Sequence, residues 1–456
     1  MASIQVRSQT YTILHDFAPE GVDPATSEVT NADGDLPRAH LTVSGSTIYG
    51  VTSGGCSNGI GGVFRLNTDG SNFTNLFNFS LNDGALAMGG LLLVSNTLYG
   101  TCQGGGANLK GTIFAVQTDG TGFTKLHTFS AAVSNINADG AGPDGTLALV
   151  GNTLYGVTSS GGTHGYGTVF GISTDGTGFT NLHYFQQTDG ASPKCDLVAS
   201  GDMLYGTTMD GGAGDNTNGT IFAVETNGSG FSTFHSFSLI PALPSLQTNY
   251  DGKNPSGGLV FTGGTLYGAT TTGGLSGYGT IYAINTDGTG FQPIYSFVKP
   301  DGIHPNSDLV VIGGVIYGTT QNGSTSSGIG GTVFSVNTNG TDYVTLIQHS
   351  IGSTNGAAPV AGLTYSGGVF YGVDAQGGAN GAGVVFSVNL GGAAPQPIPL
   401  NIQFSGGTPV LSWSGSSFVL QATQNLSAGF TNVPGATSPF TVTTTNSPQF
   451  FRLVGN

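Results

Sequence analysis

The sequence predicts an all-β protein, a seven-bladed β-propeller closed by its N-terminal strand and followed by a small C-terminal β-sandwich-like domain. Three observations carry this. First, a phrase ending in Tyr-Gly recurs seven times, with its tyrosine at positions 49, 99, 155, 205, 267, 317 and 371. Second, fifteen to seventeen residues further on stands an aromatic in a "GTVF"-like segment: Phe64, Phe114, Phe170, Phe222, Tyr282, Phe334 and Phe386. Third, the chain begins with an orphaned strand, "YTILHDF" (11–17), of the type that ends each repeat, and the last repeat lacks that strand. A ring closed by the first strand explains both ends and hides the edges that an open stack would expose. A β-solenoid is the rival, but about 50 residues per unit is long for one coil.

The elements follow in order. Each repeat reads as four short strands, a to d. Strand a is apolar (LTVSG, LLLVS, LALVG, LVVIG), b carries the Tyr-Gly, c the GTVF-like segment, and d phrases such as "FTKLHTF" (123–129). Two-residue "GS", "GN" and "GG" turns join a to b, and "TDG" or "TNG" joins c to d, both hairpin signals. Residues 1–10 form a tail, 11–389 the propeller, and 390–399 a Pro/Ala/Gly-rich linker. Residues 400–456 alternate like a small antiparallel sandwich, with the only tryptophan, Trp413, expected in its core. A module of that size is marginal alone.

Composition sets limits on function. Glycine accounts for 80 of 456 residues and only 7% are charged, yet 37% are hydrophobic, more than a disordered polar chain carries. A net charge of −15 with only 9 Lys and Arg argues against nucleic acid and anionic membranes. No apolar stretch is long enough to span a bilayer. The start, "MASIQVRSQT", lacks the apolar core of a signal peptide, so either a cytosolic protein or one whose signal has been removed is expected. The composition resembles that of a secreted bacterial surface protein and favours removal.

Spacing separates the two faces of the ring. The strand-a leucine (41, 91, 147, 197, 259, 309, 363) precedes the tyrosine by eight residues in every copy. From the strand-c aromatic to strand d is nine residues in all six complete copies. All insertions therefore fall in the b–c and d–a connections, which share one face. Varied loops over a rigid scaffold are where binding residues usually sit.

The phrases "NTLYGVTSSGG…GYGTVFGISTDGTGFTNLHYF…DGASP" resemble the Gloeo/Verruco (GloVer) tandem repeat of bacterial secreted proteins, over residues 11 to about 390. The resemblance implies export and a C-terminal anchor that differs between members. It brings no established activity and no catalytic residues to carry over, and no cofactor is expected.

Residues that follow the repeat read as scaffold. The Tyr-Gly tyrosines are expected in blade-to-blade packing. His15, His127, His183 and His235 share a strand-d position held elsewhere by Phe77, Tyr295 and Ile347, so packing is expected there, not metal ligation. The aspartates at 33, 83, 139, 189, 251 and 301, and those of the c–d turns at 69, 119, 175 and 287, read as turn formers. "NADGD" (31–35) is the nearest approach to a calcium loop, and no metal is expected. Cys56 and Cys102 are a candidate disulfide between adjacent blades, leaving Cys195 as a small buried residue.

What breaks the repeat on the variable face is a short set. His164 and Tyr166 lie in one b–c loop, Tyr278 in another, Tyr250 in the longest d–a loop and His304 in "DGIHP". Arg38, His40, Asp144, Lys194, Asp196 and Asp308 stand one to three residues before the strand-a leucine. If a is innermost, these six ring the mouth of the central channel, a concave site of both charge signs. The expected function is a monomeric extracellular module binding a ligand, a polysaccharide, on this face. The alternative is a polysaccharide-degrading enzyme: Asp144, Asp196 and Asp308 could supply the carboxylates of a glycosidase. His40, His304 or His164, with Tyr166 and Arg38, could serve a lyase.

Overall fold

The computed structural model describes residues 9–19, 21–22, 29–213, 218–238, 249–305, 308–323, 329–350 and 354–391. Beyond these it describes 401–405, 408–412, 418–423, 431–433, 440–441 and 450–455. Most of the expected N-terminal tail and linker, residues 239–248 of the longest loop, and Trp413 lie outside the described residues.

Seven four-stranded antiparallel sheets form the ring of blades. Blade 1 is built from strands a (Thr42–Ser44), b (Thr47–Thr52), c (Gly62–Asn67) and d (Thr74–Asn78). Blade 7 joins the two ends of the propeller. Its sheet runs Thr10–Asp16, Val384–Asn389, Val369–Asp374, Thr364–Ser366, so the first strand of the chain is its outermost. Register there runs from Thr10 opposite Asn389 to Asp16 opposite Val384.

The core lies between blades, not within them. One apolar cluster joins Tyr49, Val51 and Val63 of blade 1 to Leu91, Leu98 and Phe114 of blade 2. Another joins Tyr371, Val373 and Val385 of blade 7 to Leu41, Ile48 and Phe64 of blade 1. Five of the seven repeated tyrosines, Tyr49, Tyr99, Tyr155, Tyr205 and Tyr371, are buried in these seams, while Tyr267 and Tyr317 are half-buried. Tyr155 of blade 3 also donates its hydroxyl to the Thr226 carbonyl of blade 4.

Strand d adds a feature absent from the sequence reading. In each blade one residue of d bulges out of register opposite the strand-c aromatic, for example Leu76, skipped between the pairs Phe64–Asn75 and Val63–Phe77. The glycine of the next blade's c–d turn packs on that bulge. Gly120 has φ +88°, and a Cβ there would lie 2.6 Å from the Leu76 carbonyl oxygen. Turn chirality and lack of room both demand glycine. Asp119 accepts the Thr121 N–H and hydroxyl in the same turn, the turn-forming role expected of it.

The strand-d histidines do pack, but they also pair. His127 lies flat on Phe179 of the next blade, with ring centroids 3.9 Å apart and 4° between planes. Its Nε2 is 3.0 Å from Asp139, whose carboxylate accepts the Ser130 N–H and hydroxyl. The same triad recurs as His15–Asp33, His183–Asp189 and His235–Asp251. In "NADGD", Asn31 binds the Gly34 and Cys56 N–H groups and Asp33 binds His15. These atoms stitch the loop together.

The disulfide expectation is corrected: Cys56 and Cys102 are free, buried thiols. Cys56 sits in a positive-φ turn, and its sulfur faces Thr52 of its own blade at 3.8 Å. Cys102 is enclosed in strand b of blade 2. A second compact unit begins at Gly392. Its described strands form two three-stranded antiparallel sheets, with Leu411 and Leu420 buried.

Candidate functional site

Strand a is the innermost strand of each blade. Its residues Leu41, Thr42, Leu147, Val198, Leu309 and Thr364 line one cavity of about 470 Å³, the central channel. Above it, on the face of the b–c and d–a loops, opens a second cavity of about 310 Å³. Arg38, His40, Asp144, Lys194, Asp196 and Asp308 all line that mouth pocket. The fold thus brings these six residues from blades 1, 3, 4 and 6 to one place.

The pocket is built in tiers by the chain entering strand a. The residue directly before the leucine is His40, Gly90, Thr146, Asp196, Gly258, Asp308 and Gly362 around the ring. Three residues before it stand Arg38, Met88, Asp144, Lys194, Ser256 and Val360 in the described blades. Between the tiers comes a small residue throughout the described blades: Ala39, Gly89, Gly145, Cys195, Gly257 or Ala361. His40, Asp196 and Asp308 line both cavities, so the lower tier is the floor of the pocket and the roof of the channel.

In that floor, His40 Nδ1 lies 3.3 Å from an Oδ2 of Asp196 and 3.3 Å from an Oδ2 of Asp308. Backbone amides hold both carboxylates. Asp196 Oδ1 accepts the Thr146 N–H at 2.6 Å, and Asp308 Oδ1 accepts the Gly258 N–H. Neighbouring glycines make this meeting possible. A Cβ on Gly90 would lie 2.7 Å from His40 Nε2, and one on Gly258 would lie 2.7 Å from Asp308 Oδ1.

Electrostatics follow from enclosure. Burial opposes a charge on His40, but its hydrogen bond to Asp308 and the two negative carboxylates lift its pKa to about 9. Burial and the Asp308 charge push Asp196 up to about 6, against the pull of His40. Asp308 is itself held below the usual carboxylate range, because hydrogen bonds from His40 and Gly258 outweigh its burial. In the upper tier burial also pushes Asp144 up to about 6, opposed by the Gly145 N–H, Lys194 and Gln103. Gln103 donates to Asp144 at 2.9 Å. It lines the pocket with Gln321, and both sit four residues after a Tyr-Gly tyrosine, where the other blades carry Ser, Met, Thr or Ala. That irregularity was a readable signal. Among the described residues, every ion pair within 4.0 Å joins a histidine to an aspartate, so Arg38 and Lys194 have no carboxylate that close.

The remaining candidates do not line the pocket. His164 is exposed, as are Tyr166 and Tyr250. His304 adopts φ +59° and its Nδ1 meets the Asn322 amide at 3.0 Å, while its N–H binds the Tyr278 carbonyl. Those two residues join neighbouring loops. Cys195, beside Asp196, receives the Thr207 N–H and is pushed up to about 12 by burial, which makes it an inert thiol.

Fold and site together define a seven-bladed β-propeller with a polar pocket at one mouth of its channel. The chain belongs to the Gloeobacter/Verrucomicrobia repeat family, whose model matches residues 3–148, 131–241 and 238–442. No curated protein matches the sequence. Among solved structures it is similar to an oligogalacturonate lyase in complex with manganese, at 9% identity and TM-score 0.49, covering 84% of this chain and 97% of that one. It is also similar to a puromycin-hydrolysing peptidase of Mycobacterium tuberculosis, at 14% identity and TM-score 0.47, covering 88% of this chain and 61% of that one. A nidogen/laminin complex is a third, at 15% identity and TM-score 0.41, covering 64% of this chain and 90% of that one. Likeness at this level concerns fold alone.

Proposed function

We propose that the propeller binds an extracellular polysaccharide, with a sugar unit or chain end entering the mouth pocket. One observation carries the reading: six side chains that break the repeat, of both charge signs, converge from four blades on one cavity of about 310 Å³. That volume is at the lower end of small-ligand sites, which run about 300–1,000 Å³. The lining favours hydroxyl and carboxylate partners over stacking, since it holds amide, carboxylate and cationic groups but, among the described residues, no Phe, Tyr or Trp. Arg38 and Lys194 would meet acidic groups of the glycan, and Gln103 and Asp144 its hydroxyls.

A second reading, hydrolysis or elimination within the polysaccharide, is favoured by the two carboxyls raised to about 6, Asp144 and Asp196. A carboxyl poised near neutrality can deliver a proton. The two readings separate in one experiment. Acidic and neutral polysaccharides are incubated with the protein and analysed by size-exclusion chromatography. Co-elution at unchanged chain length is expected. Replacing Arg38 or Lys194 by alanine should weaken retention of an acidic chain about tenfold, the worth of one charge-assisted hydrogen bond. Shortened chains would establish the enzyme reading instead, and chains that neither bind nor shorten would overturn both.

A further inference from the structure

We propose that the floor of the mouth pocket is a site for one divalent transition-metal ion, held by His40 Nδ1, Asp196 Oδ2 and Asp308 Oδ2. One ligand atom from each of the three residues lies within 4.8 Å of the other two, and no other group of three such residues does so among the described residues. The proposal concerns the same pocket as the polysaccharide reading but is argued from its floor alone.

The spacing is the first argument. Both His40–Asp separations are 3.3 Å, longer than the about 2.7–2.9 Å of a charge-assisted N–H···O bond. Without an ion, the single Nδ1–H would have to be shared between the two carboxylates in a three-centre bond. Two ligands each about 2.1 Å from one ion, and about 90–110° apart, lie about 3.0–3.4 Å from each other. The observed separations have the length that shared coordination requires.

The ring itself is the second argument. At the one position that forms the floor, three of seven blades carry ligating side chains and three carry glycine. Gly90 and Gly258 touch His40 and Asp308 so closely that a methyl group would displace them, and Gly362 comes as close to the Asp308 Cβ. The seventh member, Thr146, places a buried hydroxyl beside Asp196 with no well-formed hydrogen bond. Floor packing alone would be served by one small residue repeated seven times.

The third argument is preorganisation. Each carboxylate spends its Oδ1 on the backbone amide of a neighbouring blade and leaves Oδ2 toward His40. Ligand orientation by such outer bonds is usual in metal sites. One imidazole with two carboxylates suits Zn²⁺ or Mn²⁺ over Ca²⁺, which takes six to eight oxygens. Coordination positions toward the pocket stay open to an oxygen of a ligand.

The test uses the full chain, stripped with a chelator and dialysed separately against Zn²⁺, Mn²⁺ and Ca²⁺ without any polysaccharide. Retention of one Zn²⁺ or Mn²⁺ per chain is expected. Affinity should fall more than about tenfold in His40→Ala and in Asp308→Asn, and hold in His127→Phe. Thermal melts show that each variant is folded. If His40→Ala fails to fold, Gly90→Ala, which crowds His40 without removing it, takes its place. No retention, Ca²⁺ alone, or retention equal in Asp308→Asn and the wild type would overturn the site. Because no glycan is present, failure here leaves the polysaccharide reading standing, and failure there leaves the ion.

Discussion

The strand-d histidines show how one side chain serves two neighbours. His127 presents its face to Phe179 and its edge to Asp139, which in turn caps the chain leaving the strand at Ser130. Phe77 occupies the equivalent place, stacked on Phe123 at 3.9 Å, and Asp83 still binds the Ser80 N–H and hydroxyl beside it. The stack therefore survives without the imidazole, whereas the loop needs its carboxylate. His127→Phe should cost no more than about 1.5 kcal/mol in denaturant unfolding. Asp139→Ala, which strands half-buried donors, should cost about 1–3 kcal/mol. Burial tends to raise the carboxyls of Asp139 and Asp251, yet bonds from His127 and Ser130, or His235 and Ser238, leave both below the ordinary value. Groups with depressed folded pKa values stabilise the protein above their unfolded pKa, about 3.9, and that stability goes as pH falls through the folded values. The melting temperature should thus drop steeply below about pH 4, and His127→Phe should shallow that drop.

Among the elements, blade 7 departs from the other six where it meets blade 6. Elsewhere the last residue of the d phrase is a buried phenylalanine (17, 79, 129, 185, 237, 297), and the third residue after the Tyr-Gly tyrosine of the next blade is Thr or Cys. At this seam they are His349 and Asp374, both wholly buried, 2.9 Å apart, with the Tyr11 hydroxyl of the closing strand 3.5 Å from Asp374. Removing one member of a buried pair leaves the other uncompensated, so His349→Phe or Asp374→Thr alone should cost about 3–5 kcal/mol. The double variant restores the pattern of the other seams and should recover most of the loss in a double-mutant cycle. Costs that simply add would refute the pairing. This seam was invisible in the sequence because His349 lies two positions past the column of the histidines that recur, and its partner is 25 residues away in another blade. Blade count, strand order, closure and the six mouth residues were legible, since each is a matter of period or of breaking one. The strand-d bulge and the His–Asp pairs were not. A bulge changes no spacing when every copy has it, and a histidine in an aromatic column looks like one more ring.

For the whole molecule, symmetry and its breaking divide the labour. Inter-blade packing and the c–d turns repeat nearly unchanged and fix the ring, while the residues entering strand a differ from blade to blade and shape one pocket on one face. Such a pocket exists only while the ring is closed, because residues of all seven blades line it. Closure depends on a single strand, Thr10–Asp16, paired along its length to Val384–Asn389 and continued by the Phe17 N–H to the Gly383 carbonyl. Deleting residues 1–17 should bare the edge of Val384–Asn389 and uncover the apolar seam that Phe17 fills with Phe64. An exposed edge seeks another strand, so the truncated chain should lose its single cooperative melt and self-associate. A synthetic peptide of residues 9–19 offers the missing strand in trans and should restore both the melt and the monomer, as in strand addition to an open sheet. Calorimetry with size-exclusion chromatography reads both. An unchanged melting temperature after truncation would show that the ring holds without its first strand. Truncation that lowers the melt but ignores the peptide would place the contribution of residues 1–17 outside strand pairing.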